Sequence, residues 1–570
     1  MTADSPAHAV GPTWQDPRAD LRWQTTSGLL RDAAQRLGDA EAVVDGELRL
    51  TYRQLDEHVS RAAAAFLAAG VGHGDRVSIW GPNCAGWIVA ALGLQRAGGV
   101  LVPLNTRFLG EEAAHVLRTS RARVLVTVNG FLGHDYLEML RGAAGGAGQD
   151  RPVADLPELS SVVLLEGDPP DGPGVRSWED FLAQQATQAE VLEREVALGP
   201  DDVSDVLFTS GTTGRPKGAV CTHGQTLRAY AVWSSVVGLR EGDRYLVVNP
   251  FFHGFGYKAG WLACLLSGAT AVPARTLDVP AVLDAVRRER ITVLPGTPTL
   301  YQTLLEHPSF SRDGVATLRL AVTGAASVPP SLLHRIRDEI GFEHIVTGYG
   351  LTESCAIVSM CRYDDPLEVV ATSAGHPLPG LEVRIVDPEG GAVPAGGEGE
   401  VVVRGYTVMR GYLDDPEATA EAIDADGWLH TGDVGRLDEG GRITITDRLK
   451  DMYIIGGFNA YPAEIESLLS KHPELSQVAV IGVPDERMGE VGAAYVVPRR
   501  GAAPSEDEVI GWCRAHMANY KVPRVVRVVG ELPLNASGKV LKNELRERFS
   551  AESSATAATS ATSETAATSA

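Results

Sequence analysis

The stretch from residue 207 to residue 220 reads LFTSGTTGRPKGAV and places hydroxyl side chains, glycines and a lysine directly after a short apolar run. Glycines let backbone N–H groups approach an anion, hydroxyl groups donate hydrogen bonds to it, and a lysine adds positive charge. The stretch is not a Walker A loop, because Pro216 stands where that motif has glycine and no Ser or Thr follows Lys217. Taken alone, it indicates either a phosphate-binding loop or a flexible surface turn.

Further polar motifs follow in the second half of the chain. In order, they read TGAA at 323–326, GYGLTE at 348–353, HTGD at 430–433, DRLKD at 447–451 and LPLNASGK at 532–539. Together with the loop, this series resembles the adenylate-forming superfamily of acyl-CoA synthetases, peptide-synthetase adenylation domains and beetle luciferases. The resemblance covers about residues 25 to 548 and points to the acyl-CoA synthetase branch. It implies that ATP and a carboxylic acid form an acyl-adenylate and pyrophosphate, after which CoA replaces AMP.

The resemblance also implies where ATP binds. The loop closes over the β- and γ-phosphates, TGAA lies along the adenine, Tyr349 stacks on the base, and Thr352 binds the α-phosphate. These residue types suit the groups they meet, since an aromatic face fits a base and a hydroxyl fits a phosphoryl oxygen. Asp433 and Arg448 match two ribose contacts. The residues implied for ATP and AMP are Thr209, Ser210, Gly211, Thr212, Thr213, Gly214, Lys217, Gly324, Ala325, Ala326, Gly348, Tyr349, Gly350, Thr352, Asp433 and Arg448.

The residues that the resemblance implies for catalysis are Lys217, His253, Thr352, Glu353 and Lys539. Glu353 is expected to hold Mg²⁺, for which a carboxylate is a suitable hard ligand. Lys539 matches the lysine that drives adenylation, and His253 matches a gate beside the reacting carboxylate. Each of these residue types alone is more often a core, capping or solvated residue, and only the order of the motifs favours a site. The last motif departs from the family's pattern, because Leu534 and Asn535 stand where a basic residue and a threonine are common.

For the second step, the resemblance implies that a small C-terminal domain rotates about a hinge at Lys450. The rotation removes Lys539 from the site and opens a tunnel for the pantetheine of CoA beside Gly456, Gly457 and Phe458. Rotation of a rigid domain about a few residues is a common switching motion. The implied cofactor is therefore Mg²⁺, with ATP and CoA as co-substrates.

The acyl pocket is expected to be lined by aromatic and small residues, namely Phe252, Phe255, Tyr257, Lys258, Gly260 and Thr297. Such a set suits a bulky apolar body attached to a carboxylate. Stretches such as NPFFHGFGYKAGWLACLLSGAT resemble ligases that act on the propanoate side chain of a steroid-ring remnant. Medium-chain fatty acids and aryl acids stay open as alternatives, and so does the loading of a carrier protein. A non-catalytic nucleotide-binding module is disfavoured, because Glu353 and Lys539 are both present.

The elements that must position these residues are indicated by hydrophobic periodicity. From about residue 25 to residue 440, short β-branched runs alternate with helical patterns, which is typical of layered α/β folds. A helix is predicted at the apolar stripe between Leu55 and Leu67, and the Gly/Pro-rich segment 386–399 is predicted as a turn between two strands. The predicted strands are 76–80, 123–128, 244–248, 291–296 and 318–324.

Beyond Lys450 the pattern changes to a compact α+β unit, with predicted strands at 478–484 and 493–498 and a helix at 505–517. A chain of 570 residues also exceeds the roughly 250–300 residues that one hydrophobic core usually serves. The expected fold class is therefore α/β, with a large adenylate-forming domain of layered subdomains and a small mobile domain. The predicted divisions are an N-terminal extension (1–24), an AMP-binding domain (25–449), a mobile C-terminal domain (450–548) and a disordered Ser/Thr/Ala-rich tail (549–570).

Charge and cysteine content narrow the class of protein. The formal net charge is −22, from 51 basic and 73 acidic residues, which disfavours nucleic acid and anionic membranes as partners. The six cysteines form no CxxC pair, so neither a disulfide framework nor a zinc site is indicated. The sequence shows no secretion signal and no apolar stretch of the ~20 residues that a membrane span needs. We therefore expect a cytoplasmic enzyme without membrane insertion that binds a small carboxylic acid, ATP and CoA, with a homodimer left open.

Overall fold

The structure is a computed structural model. It describes residues 21–209, 216–324, 328, 330–449, 451–455, 458–485, 487–517, 519–535 and 538–552. Within these ranges the chain forms layered α/β sheets followed by a smaller α+β unit, as the sequence predicts. No helix in the described ranges combines the length and the apolar character needed to cross a bilayer.

The first part of the chain, up to residue 209, alternates helices and strands. Its helices are α1 (Thr26–Leu37), α2 (Tyr52–Ala68), α3 (Ala85–Arg96), α4 (Gly110–Ser120), α5 (Tyr136–Ala143), α6 (Trp178–Ala183) and α7 (Gln188–Val196). Its strands are β1 (Glu41–Asp45), β2 (Leu48–Thr51), β3 (Arg76–Trp80), β4 (Val100–Pro103), β5 (Val124–Phe131), β6 (His134–Asp135), β7 (Ser161–Glu166), β8 (Val175–Ser177) and β9 (Val203–Thr209).

The second part contributes most of the parallel strands that lead to the polar motifs. Its strands are β10 (Lys217–Thr222), β11 (Arg244–Val247), β12 (Thr270–Pro273), β13 (Val293–Gly296), β14 (Leu320–Gly324), β15 (His344–Tyr349), β16 (Ser359–Met360) and β17 (His376–Pro377). Its helices are α8 (His223–Val236), α9 (Gly254–Gly256), α10 (Ala263–Ser267), α11 (Val279–Glu289), α12 (Pro298–Glu306), α13 (Pro330–Arg335) and α14 (Leu367–Thr372). A π-helical turn, Tyr257–Leu262, joins α9 to α10.

The last two parts carry one sheet each, antiparallel in the first and mixed in the second. The first holds β18 (Glu382–Val386), β19 (Gly399–Arg404), α15 (Pro416–Ala422), β20 (Leu429–Leu437) and β21 (Ile443–Arg448). The second holds β22 (Tyr453–Ile455), β23 (Phe458–Ala460), α16 (Pro462–Leu469), β24 (Leu475–Asp485), β25 (Gly489–Pro498), α17 (Glu506–His516) and β26 (Val525–Val528). Lys450, where we predict the domain boundary, lies outside the described residues, so that boundary stays a prediction.

Four sheets organise these elements. A nine-stranded sheet has the order β17-β16-β15-β14-β13-β11-β12-β1-β2, and an eight-stranded sheet has the order β10-β9-β4-β3-β5-β7-β8 with β6 beside β5. The strands β18 to β21 form a four-stranded sheet, and the small unit has the order β23-β22-β25-β24 with β26 parallel to β25. One hydrophobic core joins residues of both large sheets to α1, α2, α3 and α8, so these helices lie between the sheets.

The buried helices show why this layering suits the sequence. Helix α2 begins with a capping box, in which Thr51 Oγ1 accepts from the Gln54 N–H at 3.2 Å and Gln54 Oε1 accepts from the Thr51 N–H at 3.0 Å. Helix α3 is buried along its whole length except at Gly86, as expected of a helix that is apolar on every side. A Cβ on Gly93 would lie 2.5 Å from Ala62 Cβ, so glycine lets α2 and α3 pack closely.

The predicted elements agree with those observed. Each predicted strand and helix coincides with an observed one, with ends that differ by a few residues, and the segment 386–399 joins the antiparallel pair β18 and β19 as predicted. The last helix begins at residue 542 and continues to residue 552, so it overlaps the first residues of the predicted tail at 549–570, and the remainder of that tail lies outside the described residues and stays a prediction. Phe549 packs against the core of the small unit and Glu552 pairs with Arg527 at 3.2 Å, which accounts for the added turn.

Candidate active site

The predicted site residues gather where parallel strands of the nine-stranded sheet end. His253 follows β11, Thr297 follows β13, Gly324 ends β14 and Tyr349 ends β15. In open α/β sheets, ligands bind outside the carboxyl ends of the strands, because loops and backbone groups converge there. The sheet therefore brings together motifs that are about 100 residues apart in sequence.

The phosphate loop is the connection of an antiparallel hairpin. Thr209 at the end of β9 pairs with Lys217 at the start of β10, and the hydrogen-bonded ladder continues to Thr222. Gly218 is required here because a Cβ would lie 2.6 Å from Val206 Cγ1 on the facing strand. The structure thus fixes both ends of the loop, whereas the predicted residues Ser210, Gly211, Thr212, Thr213 and Gly214 lie outside the described residues.

The expected adenine site has a floor of backbone. Gly324 and Gly348 face each other across β14 and β15, and a Cβ on Gly324 would lie 3.2 Å from Gly348 O. Gly350 is closed in as well, because a Cβ there would lie 2.5 Å from Ala356 O. Neighbouring glycines leave a flat surface that a planar base can approach. Ala325 and Ala326, predicted for the same face, lie outside the described residues.

The expected ribose contacts lie beside this floor. The Tyr349 hydroxyl donates to Asp433 Oδ2 at 2.6 Å, and Asp433 is only 2% exposed. Asp433 and Arg448 are cross-strand partners on β20 and β21, although the Arg448 side chain lies outside the described part of the structure. Because the Tyr349 ring is hydrogen-bonded to Asp433, the two residues could bind one nucleoside, with its base stacked on the ring and its ribose hydroxyls at the carboxylate.

Thr352 and Glu353 lie on a single 3₁₀ turn, Thr352–Ser354. Cys355 and Ala356 follow with φ of 54° and 66°, the left-handed region that non-glycine residues seldom adopt. The Glu353 main-chain oxygen accepts from the Met409 N–H at 2.8 Å, and its carboxylate Oε1 accepts from the Tyr412 hydroxyl at 2.8 Å. The turn that carries the predicted metal ligand is therefore held at both backbone and side chain.

This arrangement fits Mg²⁺ as the cofactor. Among the described residues, no group of three or more His, Cys, Asp or Glu side chains is placed to hold a metal. Magnesium differs from zinc or calcium in this respect, since it usually takes one or two carboxylates and completes its shell with water and substrate phosphates. Glu353, which Tyr412 links to Lys217 at one end of the predicted phosphate loop, could supply such a single carboxylate.

Lys539 lies on a tight loop of the small unit that reaches the large one. Asn535 Oδ1 accepts from the Lys539 N–H at 2.8 Å and the Asn535 N–H donates to Lys539 O at 2.8 Å, so asparagine closes the loop where the family has threonine. Gly538 has φ of 79°, and its carbonyl oxygen accepts from Thr299 Oγ1 at 3.3 Å. A Cβ on Gly538 would lie 2.8 Å from Thr297 Oγ1. The loop is therefore docked on the start of α12.

His253 lies close to this docked lysine. Burial, assisted by the positive charge of Lys539, lowers the pKa of His253 to about 4. The imidazole is therefore neutral near pH 7, and its Nδ1 accepts from the Phe255 N–H at 3.2 Å. A Cβ on Gly254 would overlap the Ala356 side chain, so the segment that follows His253 packs directly against the turn after Glu353.

The residues predicted for the acyl pocket divide into two groups. Phe252 and Phe255 are partly exposed near His253, and Thr297 is buried beneath the Lys539 loop. Tyr257 and Lys258 have no exposed surface, so in this structure neither lines an open pocket. Gly260 lies inside the π-helical turn with non-helical backbone angles, and a Cβ there would lie 2.9 Å from Val247 Cγ1.

Lys258 forms a buried ion pair. Its Nζ lies 2.9 Å from Asp205 Oδ1, and both side chains are 0% exposed. Burial alone lowers the pKa of the Lys258 ammonium, but the Asp205 carboxylate outweighs this and holds the pKa well above its usual range. The thiol of Cys355 is 4.0 Å from the same ammonium and 3.3 Å from Cys221 Sγ. The ion pair thus links the π-helical turn that contains Lys258 to β9, the strand that leads into the predicted phosphate loop.

Some predicted residues cannot be placed, and some placed residues were not predicted. Lys450, Gly456 and Gly457 lie outside the described residues, as does the side chain of Phe458. Sequence reasoning missed Tyr412, Thr299 and Asp205, which contact Glu353, Gly538 and Lys258 respectively. None of the three stands in a motif with a recognised chemistry, so only the folded chain reveals them.

Comparison with known proteins agrees with this geometry. Residues 30–413 match the model of the AMP-binding enzyme family, and residues 464–539 match that of the AMP-binding enzyme C-terminal domain. The chain is 50% identical over 525 residues to the (7a-methyl-1,5-dioxo-octahydro-1H-inden-4-yl)propanoyl:CoA ligase of Rhodococcus jostii (strain RHA1), covering 92% of this chain and 98% of that protein. The ligase of the same name from Mycobacterium tuberculosis (strain ATCC 25618 / H37Rv) is 49% identical, with 93% and 99% covered. The solved structure of ATP-bound MatB from Rhodopseudomonas palustris matches with a TM-score of 0.80 at 30% identity, covering 92% of this chain and 99% of that one.

Proposed function

The chain belongs to the AMP-binding enzyme family, and from that premise we propose that it joins a bulky, bicyclic propanoate to CoA at the expense of ATP. It is an AMP-forming acid–CoA ligase, since it belongs to the AMP-binding enzyme family and its relatives from Rhodococcus jostii and Mycobacterium tuberculosis are named as CoA ligases. The observation that carries the proposal is the linkage of the predicted residues near the ends of β13 and β15: Tyr412 joins Glu353 to Lys217, and the loop of Lys539 is docked on Thr297 and Thr299.

In the first step, a carboxylate oxygen of the acid attacks the α-phosphorus of ATP and pyrophosphate leaves. The chain's part is to position both reactants and to stabilise charge on the phosphates. We assign the leaving pyrophosphate to Lys217 and the hairpin loop, and the α-phosphate to Thr352 and Lys539. Mg²⁺, held by Glu353, would neutralise phosphate charge when bound. Neutral His253 borders the acid without repelling Lys539.

In the second step, the thiol of CoA attacks the acyl carbonyl carbon and AMP leaves. The loop of Lys539 is docked on the start of α12 in this structure, with Gly538 against Thr297 and Thr299. We therefore assign the structure to the adenylate-forming arrangement. The small unit would rotate about Lys450 to bring Gly456, Gly457 and Phe458 to the pantetheine path. The hydrogen bond from Thr299 to the Gly538 carbonyl oxygen supports this, because such a surface contact can break without disturbing the core of either unit.

The acid we propose is the propanoate side chain of a bicyclic steroid-ring remnant. Identity of 50% over nearly the whole chain to a ligase named for such an acid supports this choice. Partly exposed Phe252 and Phe255 beside His253 provide apolar surface for rings rather than for a charged group. Medium-chain fatty acids and aryl acids are the alternative substrates. We further propose that the enzyme works in the cytoplasm, where ATP and CoA are present, and that it forms a homodimer.

The test is a panel assay with purified protein, ATP, Mg²⁺, CoA and single acids. The panel contains the bicyclic propanoate, octanoate, ferulate and benzoate, with AMP measured by chromatography and the thioester identified by mass. The expected result is a kcat/KM at least about tenfold higher for the bicyclic acid, since shape and apolar burial worth ~1.4 kcal/mol give that factor. A higher value for octanoate or ferulate would refute the substrate, and no AMP with any acid would refute the ligase. Size-exclusion chromatography with light scattering tests the dimer.

A further inference from the structure

Tyr412 joins two parts of the proposed site that are far apart in sequence. Its hydroxyl donates to Glu353 Oε1 at 2.8 Å, and its ring centroid lies 5.3 Å from Lys217 Nζ. One aromatic side chain therefore touches both the proposed Mg²⁺ ligand and the lysine that flanks the phosphate loop. Each contact uses a different part of the residue, the hydroxyl for the carboxylate and the π face for the ammonium.

The backbone on both sides of Tyr412 is fixed against the phosphate strand. The Arg410 N–H donates to Val220 O at 2.9 Å, the Val220 N–H donates to Gly411 O at 3.0 Å, and the Leu413 N–H donates to Gly218 O at 2.8 Å. Tyr412 itself forms a bridge with Ala219. The segment 410–413 thus runs along β10 like an added strand. The tyrosine keeps its place relative to the loop ends even before any ligand binds.

The same segment also holds the Glu353 turn. The Met409 N–H donates to Glu353 O at 2.8 Å, one residue before the strand-like pairing begins. The hydroxyl of Tyr412 is the donor of its hydrogen bond to Glu353 Oε1, because an ionised carboxylate can only accept. A donor on Oε1 fixes the rotation of the carboxylate and leaves Oε2 available for a cation.

We propose that Tyr412 is a positioning residue that sets the proposed Mg²⁺ carboxylate of Glu353 and the phosphate-loop Lys217 at a fixed distance from each other. The inference rests on the proposed function, because it gives these two residues their ligands. The cation and the leaving pyrophosphate must meet, since Mg²⁺ completes its shell with phosphate oxygens. The Tyr412 side chain contacts both Glu353 and Lys217, so it fixes the spacing of these two residues before the ligands bind.

The test measures metal and nucleotide binding rather than turnover. Mn²⁺ is titrated by electron paramagnetic resonance in the presence of an ATP analogue with a methylene group between the α- and β-phosphorus, which cannot release pyrophosphate. Affinity for the same analogue is measured separately in EDTA. The variants are Tyr412→Phe, which keeps the ring and removes the hydroxyl, and Tyr412→Leu, which removes both. Tyr363→Phe is the matched control, since Tyr363 is 44% exposed.

Tyr412→Phe is expected to weaken Mn²⁺ binding about tenfold, the factor that a lost hydrogen bond to a charged group gives. Its affinity for the metal-free analogue should stay within about twofold of the parent. Tyr412→Leu should lose that affinity as well, by about threefold, because no ring faces Lys217. Tyr363→Phe should match the parent throughout.

Two outcomes overturn the inference. Unchanged Mn²⁺ affinity in Tyr412→Phe would show that the hydroxyl does not prepare the carboxylate. Equal losses of Mn²⁺ and of metal-free analogue in Tyr412→Phe would indicate general damage to the fold rather than positioning. If the unsubstituted protein itself bound neither metal nor analogue, the proposed function would fall together with this inference, so the two failures are distinguishable.

Discussion

Replacing Lys258 by methionine is expected to destabilise the large domain by about 3–5 kcal/mol, the cost of breaking a buried ion pair on one side. The structure places the pair without access to solvent, since Lys258 Nζ and Asp205 Oδ1 are 2.9 Å apart and both side chains are 0% exposed. Methionine retains most of the side-chain volume, so little of the loss should come from a cavity. The loss comes instead from the Asp205 carboxylate, which stays buried without its counter-charge.

The hydrogen bonds that Asp205 retains place the expected value near the lower end of that range. Asp205 Oδ2 still accepts from Ser204 Oγ at 2.6 Å, and Thr226 Oγ1 lies at 3.5 Å. Two hydroxyl groups compensate part of the lost attraction but supply no positive charge. We therefore expect about 3 kcal/mol for Lys258→Met, and a smaller loss for the double variant Lys258→Met/Asp205→Asn, in which no charge is buried.

The assay is urea unfolding followed by tryptophan fluorescence. Trp261 reports on this region, because its ring stacks on that of Tyr257 at 4.9 Å and lies 6.1 Å from Trp87. Arg337→Met is the control, since Arg337 and Asp338 form an exposed pair with side chains 44% and 60% exposed, and its unfolding midpoint should hardly move. A loss below about 1 kcal/mol in Lys258→Met, or a double variant less stable than the single one, would refute the reasoning.

Three further predictions concern Lys539, its neighbour Gly538 and the response to acid. Lys539→Ala should lower the rate of acyl-adenylate formation, measured by pyrophosphate exchange, by at least about a hundredfold. The rate at which supplied acyl-adenylate becomes the thioester, measured by mass spectrometry, should stay within a few-fold of the parent's. Equal losses in both steps would contradict the proposal that the small unit adopts a different arrangement for each step. Gly538→Ala should slow the same first step by a smaller factor, because its φ is 79° and the added Cβ would lie 2.8 Å from Thr297 Oγ1; a first step as fast as the parent's would contradict this. Burial lowers the pKa of His223 from 6.5 to about 4, so the unfolded chain binds the proton first as the pH falls, and the associated stability, full above pH 6.5, is lost towards pH 4. His223→Gln should therefore remove about 2 kcal/mol of the stability difference between pH 7 and pH 5 in urea unfolding, and an unchanged difference would refute it.

Much of the fold was predictable because its elements carry local signals. The run RVSIW is β3 residue for residue, and the stripe from Leu55 to Leu67 is the buried face of α2. The end of the chain was less predictable, because Ser/Thr/Ala-rich composition hides the contact of Phe549 with the small unit's core. Composition describes an average over a segment, whereas one aromatic residue can extend a helix by a turn.

The site, like the fold, has residues that the sequence predicts and residues that it does not. Residues such as Tyr349, Asp433 and Glu353 lie in short motifs whose order was informative by itself. The position of Lys258 beside Phe255 and Tyr257 predicts a place in the acyl pocket, whereas its pairing with Asp205 has no local signal, because the partner lies 53 residues earlier in an apolar strand. Sequence cannot distinguish a buried lysine with a partner from one that faces a ligand, since both follow the same local pattern.

The residues that sequence missed share one property, which is that they hold together pieces of the site rather than contact a ligand. Tyr412 joins the turn of Glu353 to the strand of Lys217, and Thr299 holds the loop of Lys539 on the large domain. Such contacts require only a hydrogen-bond donor or an aromatic ring at the right position, and many side chains can supply one or the other. The motifs therefore predict the chemistry of this site. The distances between its parts, on which charge stabilisation depends, are set by residues that lie outside the motifs.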